Sequence, residues 1–329
     1  MGSILPSHMD QGVIFGVLGL WHVLNTLNLY IKTPRGFRYR TWFPVKLPWT
    51  LRFLELWIIL LIIVMFICTQ MSHARADISS GIIQAAHIQR FQHVTFALFF
   101  LVYAAVGLVS EQCSMLPLPP GVLHSTFALG FLLELLVFHF GHHPGETLEN
   151  FVHMFMQIIL LFLVSLMFLE ILWPRSFVIS IARCMLLILK GTWFFDIGIL
   201  INVPSSIPLG CVSGAHGFPV CPVGEALMRA KSLQVLVFGC QMLGIVIGTY
   251  LAYALLNQFL IKGPYLQILE DVEESGSKVD AVEEDEAVPI ISVIARSLSI
   301  RVSVNNTISP KELRLNHQAV FQMQETINH

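Results

Sequence analysis

FLLELLVFHFGHHPGETLENFVHMFMQ, Phe131–Gln157, sets four histidines and three glutamates into otherwise apolar sequence. Both flanks are apolar over helical lengths, and Pro144 closes the first of them. The stretch reads as two membrane helices joined by a short turn.

The whole chain has the same character. It has 329 residues, 55% apolar and only 12% charged, with a mean hydropathy of +0.71, far too apolar for a soluble domain of that length. Its principal partner is the lipid bilayer. A net charge of -2 without a clustered basic face excludes a nucleic-acid partner. The six cysteines, Cys68, Cys113, Cys184, Cys211, Cys221 and Cys240, show no CxxC pair and no zinc-finger spacing. The N-terminus lacks the basic region of a secretory signal and the Ser or Thr of a myristoylation motif, where Pro6 stands.

Seven apolar runs reach about 20 residues, the length of a span. They cover 11–30, 51–71, 93–110, 121–141, 148–172, 177–203 and 232–261. The predicted fold class is therefore an all-α membrane protein: a seven-helix bundle over 1–262, followed by a disordered acidic tail over 263–329. An odd number of spans puts the termini on opposite sides. Lys32, Arg35, Arg38, Arg40, Lys46, Arg52, Arg175 and Lys262 fall on the first-loop side, eight basic residues against four (Arg75, Arg90, Arg229, Lys231) on the other. By the positive-inside rule the N-terminus is outside or lumenal and the C-terminus cytosolic, in the plasma membrane or an endomembrane.

This orientation places CVSGAHGFPVC, Cys211–Cys221, on the oxidising side, where its two thiols either pair or stay free. It leaves the sequon Asn305-Asn306-Thr307 in the cytosol, unglycosylated. Gly12 and Gly16, and Gly244 and Gly248, have the small-xxx-small spacing of close helix packing. Ala76–Gln92 has the mixed polarity of an interfacial helix. The acids from Glu270 to Glu286 cannot build a core and suit a tail that engages protein partners; Ser292, Ser297, Ser299 and Ser309 there are candidate phosphosites.

Ionisable groups inside spans are site hypotheses by default. At a rise of about 1.5 Å per residue, His139 lies about 6 Å and His153 about 9 Å below the turn they share. The topology brings His93, His142, His143 and Asp196 to the same leaflet. The candidate polar cluster is His93, Glu134, His139 and His153. Its three histidines are the candidate metal ligands, for Zn or another transition metal, since imidazole suits such ions; neutral histidines also relay protons. The competing reading is interhelical hydrogen bonding. His139-Phe140-Gly141-His142-His143 matches the HxxHH box of membrane desaturases and hydroxylases, which carry several such boxes where this chain has one. Deeper, Glu134 and Lys190 are a natural ion pair. His22, Asn25 and Asn28 stripe one face of helix 1, as groups for interhelical hydrogen bonds. His124 and Glu170 lie toward the opposite side, too far away to share the cluster.

Gly19-Leu20-Trp21-His22, Gln92-His93 with Thr95 and Leu98-Phe99-Phe100, Glu134, Leu148-Glu149 with His153, and Gly191-Thr192-Trp193-Phe194 follow one another in an order that resembles the transmembrane protein 45 family, domain-of-unknown-function family 716. The Gly-Leu-Trp-His form is closer to the plant members. The resemblance covers Met1 to about Ile261. It implies a seven-helix membrane protein without an established activity, loosely tied to defence responses in plants. It also implies an amide where Lys190 and Asp196 stand, so that His93, Glu134 and His153 are the candidates on family positions. Three function classes follow: a non-enzymatic organising or signalling protein, a His-based metal-dependent hydrolase or oxidase, and a proton or metal-ion transporter.

Overall fold

A computed structural model describes residues 8–45, 51–73, 85–112, 116–140, 147–214 and 217–279. Seven helices dominate them: α1 (His8–Lys32), α2 (Leu54–His73), α3 (Ala85–Gln112), α4 (Val122–Phe140), α5 (Leu148–Leu172), α6 (Phe177–Asn202) and α7 (Glu225–Val279). Each is long and apolar enough to cross a membrane, α7 over Glu225–Leu260. The seven spans match the seven runs in the sequence to within several residues. Compact unit one is Met1–Tyr265; Leu266–His329 form a second unit. Of the expected interfacial helix, residues 76–84 lie outside the described residues, and from Ala85 the chain is already α3. α7 continues past Lys262-Gly263-Pro264 to Val279, into the stretch expected to be disordered; 280–329, with the sequon and the four serines, lie outside the described residues.

Local chemistry sets the helix ends. Thr147 Oγ1 accepts the Asn150 N–H at 3.1 Å to start α5, and Ser176 does the same for Ile179 at the start of α6. These caps satisfy donors that water would otherwise have to reach. Pro174, just past α5, prevents its continuation.

In sequence order α2 to α6 pack each on the next, and α1 lies along α6. The α1–α6 contact is the closest in the bundle, and glycines make it so. A Cβ at Gly12 would stand 2.6 Å from the Phe195 backbone nitrogen, and one at Gly19 2.6 Å from that of Ile188. A Cβ at Gly191 would fall on the backbone of Gly16. Gly12 thus packs as the spacing predicts, joined by Gly19, Gly191 and Gly198, whereas Gly16 takes part only through its backbone, with no described residue within 4 Å of a Cβ of its own. At Gly244 and Gly248 no described residue lies within 4 Å of a Cβ, and no neighbouring glycine abuts their backbone among the described residues. α7 has no buried residue in its apolar window. It meets the bundle through Phe238, whose ring lies 4.5 Å from that of Phe155 and 5.2 Å from that of Trp193, and through Gln241. Outward apolar side chains such as Leu61, Phe162 and Leu251 suit contact with lipid.

The two ends of unit one are closed differently. At the first-loop end Phe37 and Phe43 are buried, Tyr30 stacks on Phe177 at 4.0 Å, and the Tyr39 N–H donates to the Pro174 carbonyl at 2.9 Å. At the other end Cys211 and Cys221 form a disulfide that closes a two-stranded hairpin, β1 (Val212–Ser213) with β2 (Pro219–Val220), Val212 opposite Val220. Gly217, at φ 88°, makes the turn a side chain would strain. The hairpin delivers Phe218 to the rings of His8 and His153, at 6.5 and 5.5 Å.

The glycine contact yields a paired prediction. Gly191→Val should lower stability by about 1–3 kcal/mol, the usual cost of overpacking, whereas Gly244→Val should stay within about 0.5 kcal/mol. Unfolding of the purified variants in detergent checks both.

Candidate functional site

The residues of the expected cluster have different surroundings. His93, half-buried near the start of α3, lies 5.6 Å from the ring of Phe96 and 6.5 Å from that of Phe66. His139 is exposed at the end of α4, where its Nδ1 lies 3.2 Å from the Gln157 side-chain oxygen on α5. His153 packs between the rings of Phe138 and Phe218, at 5.4 and 5.5 Å. Among the described residues no three His, Cys, Asp or Glu side chains stand close enough to hold one metal ion. His142 and His143 lie outside the described residues. Asp196 accepts a hydrogen bond from Gln241, whose oxygen takes the Thr192 hydroxyl at 3.3 Å, so it anchors α7.

Glu134 has a charged partner on α6. Lys190 Nζ lies 2.9 Å from its Oε1, with the lysine wholly buried and the glutamate 3% exposed. An amine this deep cannot snorkel to water; the carboxylate and the rings compensate it instead. Phe15 puts its ring centroid 3.3 Å from Nζ, and Phe194 and Phe131 stand at 4.8 and 5.1 Å. Ring faces carry negative potential, so they add to the stabilisation of the ammonium. Glu134 also lines a cavity of about 260 Å³ bounded by α1, α2 and α3, with Asp10, Phe66, Phe96 and Phe100 among its walls.

Among the described residues the largest polar assembly lies at the first-loop end, and only part of it is legible in the sequence. Arg183 Nε and His124 Nε2 meet the same Glu170 oxygen, at 2.6 and 2.9 Å. Arg183 Nη1 lies 3.4 Å from His22 Nδ1. A guanidinium only donates, so that nitrogen of His22 accepts. His22 Nε2 then donates to Glu55 Oε1 at 2.9 Å. The other Glu55 oxygen takes the Trp21 indole N–H at 2.8 Å and the Phe43 backbone N–H at 2.9 Å. Arg183, Glu170, His124 and His22 are each at most 1% exposed. One chain of contacts therefore ties α1, α2, α4, α5 and α6 to the first loop.

Above this assembly Tyr39, in the loop, sets its ring 4.8 Å from that of His124. Partial burial, and then the Glu170 carboxylate, push its hydroxyl above the usual phenol range, so it stays protonated at neutral pH. The placing of His124 and Glu170 away from the outer histidines agrees with the sequence reading. Of the helix 1 stripe His22 does bridge helices, but Asn25 donates to the Trp21 carbonyl of its own helix. The sequence reading does not include Glu55 or Arg183; for Arg183 the signal is an arginine inside the apolar run 177–203.

Residues 120–254, α4 through most of the apolar part of α7, match the model of a family of unknown function, DUF716. Glu134, His153, Arg183 and Lys190 all fall inside that stretch; His22, Glu55 and His93 precede it.

If the mid-bundle contact is an ion pair, its two halves must be worth keeping only together. Lys190→Met alone should cost about 3–5 kcal/mol by stranding a buried carboxylate, and Lys190→Met with Glu134→Leu should recover most of that. A double-mutant cycle on unfolding in detergent reads the difference.

Proposed function

We propose that this chain, a member through residues 120–254 of the DUF716 family that contains the transmembrane protein 45 proteins, is a non-enzymatic multi-pass membrane protein with an organising or signalling role. In this reading the N-terminus faces the outside or lumen, and the tail over 263–329 is cytosolic and binds protein partners. The observation that carries the reading is how the buried ionisable groups are used. Glu134 is held by Lys190, and Glu170 by Arg183 and His124, each at hydrogen-bonding distance and away from water. Catalysis asks for groups that exchange protons or ligands with a substrate; here they hold helices together. A proton wire fits no better, because Arg183 stands in the middle of the chain of contacts and a guanidinium does not give up its proton. The Cys211–Cys221 disulfide supports the orientation. It lies in the α6–α7 connection, which seven crossings put on the N-terminal side, and disulfides persist in oxidising compartments.

Four measurements test the reading together. An N-terminal epitope should stain on intact cells or intact organelles, and a C-terminal one only after permeabilisation. Purified protein should carry far less than one metal ion per chain and should leave proton flux in liposomes at the level of empty vesicles. Near-unit metal that disappears in a folded His93→Ala/His153→Ala variant would overturn the non-enzymatic reading. Proximity labelling should mark cytosolic proteins from the full chain that are not marked when the chain ends at Tyr265; identical sets would remove the tail from the account.

A further inference from the structure

Six basic side chains stand exposed at the first-loop end: Lys32 at the end of α1, Arg35, Arg38 and Arg40 in the loop after it, Arg52 just before α2, and Arg175 between α5 and α6. None of the six is in an ion pair with a described residue. The acids buried at this end, Glu55 and Glu170, are already held by His22 and by Arg183 with His124. Among the described residues of unit one the exposed acid at this end is Glu111, in the last turn of α3. The surface therefore carries a positive charge that unit one does not neutralise.

The positive-inside rule accounts for basic residues at one end of a bundle but not for the way these are held. The first loop is folded down onto the helices. Phe37 and Phe43 are 2% and 5% exposed, and the Gly36 N–H donates to the Thr33 carbonyl at 3.2 Å in a turn that carries Arg35. The Tyr103 hydroxyl donates to the Thr41 carbonyl at 3.1 Å, and the Val45 N–H to the Arg52 carbonyl at 3.0 Å. The Tyr39 N–H donates to the Pro174 carbonyl, so Arg38 and Arg40 flank a residue bonded to the segment that carries Arg175. Backbone bonding thus brings three arginines from two loops to one part of the surface. Groups fixed in advance lose little freedom when a ligand arrives. Five of the six are arginines, whose planar fork pairs with two phosphate oxygens at once. Beside Arg175, Leu172 and Trp173 are 67% and 57% exposed, an apolar and an aromatic side chain of the kind that sits at the bilayer boundary.

We propose that this surface binds the headgroup of a phospholipid that bears phosphate monoesters, a phosphatidylinositol bisphosphate, with its phosphates on Arg38, Arg40 and Arg175 and its chains entering the bilayer beside Leu172 and Trp173. A headgroup with one negative charge, such as phosphatidylserine, matches one arginine; clustered phosphates meet several. A soluble polyanion would meet the charges but leave the apolar neighbours unused. The inference deepens the organising or signalling reading and rests on its orientation, which turns this end toward the cytosolic leaflet where anionic lipids lie. Binding to purified protein is independent of orientation, so epitope staining and lipid binding can fail separately.

The test is native mass spectrometry of the full chain in a non-ionic detergent, titrated with phosphatidylinositol bisphosphate at an ionic strength of about 0.15 M. The bisphosphate lipid should bind at least about tenfold more tightly than phosphatidylserine, and soluble inositol trisphosphate should compete at least about tenfold more weakly than the lipid. Each basic residue near an anionic headgroup contributes about fivefold, so Arg38→Gln/Arg175→Gln should weaken binding by about tenfold or more. Arg90→Gln/Arg229→Gln, at the opposite end, should keep the affinity of the unmodified chain. Equal binding of phosphatidylserine, soluble trisphosphate as tight as the lipid, or equal affinity in the two double variants would each overturn the proposal. The two comparisons on the unmodified chain decide it even if a variant does not fold.

Discussion

The first-loop half of this bundle depends on the contact between Arg183 and Glu170. A charge in hydrocarbon persists only when a partner and further hydrogen bonds replace the water it has lost. Arg183 meets the requirement by reaching two ways, to Glu170 on α5 and to His22 on α1. Each of those contacts recruits another: Glu170 holds His124 on α4, and His22 holds Glu55 on α2. Glu55 in turn takes the Phe43 N–H and fastens the first loop against the helices. Five helices and a loop thus meet at groups that none of them could bury alone.

The glycine contact makes this geometry available. Because Gly12, Gly19 and Gly191 carry no side chain, α1 can lie against the backbone of α6. That closeness brings His22 within reach of Arg183 at one level, and at another it sets the Phe15 ring 3.3 Å from Lys190 Nζ. Packing and electrostatics are therefore one arrangement: a larger residue on either helix would separate the polar partners as well as the surfaces. The opposite end relies on apolar and covalent means, with Phe218 delivered by the disulfide-closed hairpin onto His8 and His153.

Much of the fold was legible because hydropathy alone marks a membrane span. The seven runs, the Glu134–Lys190 pair and the packing of Gly12 could all be read from spacing and depth. Depth along a helix, however, says nothing about rotation around it. His139 and His153 are at matching depth on neighbouring helices, yet one is exposed toward Gln157 and the other lies between Phe138 and Phe218. Gly244 and Gly248 have the packing spacing but face no other part of the described chain. Glu55 stands in the first turn of α2, and nothing in its spacing marks it as the partner of His22 on α1. The cavity at Glu134 was equally invisible, since it is the shape left between four helices.

The measurement that tests the central claim most directly is a carbon–nitrogen distance between the Arg183 guanidinium and the Glu170 carboxyl, by solid-state NMR of the labelled chain in bilayers. The account predicts a strong correlation between the two groups, with the carboxyl carbon at the shift of an ionised acid. A well-dispersed spectrum of folded protein without that correlation would contradict it, and would return these buried groups to the list of residues free to do chemistry.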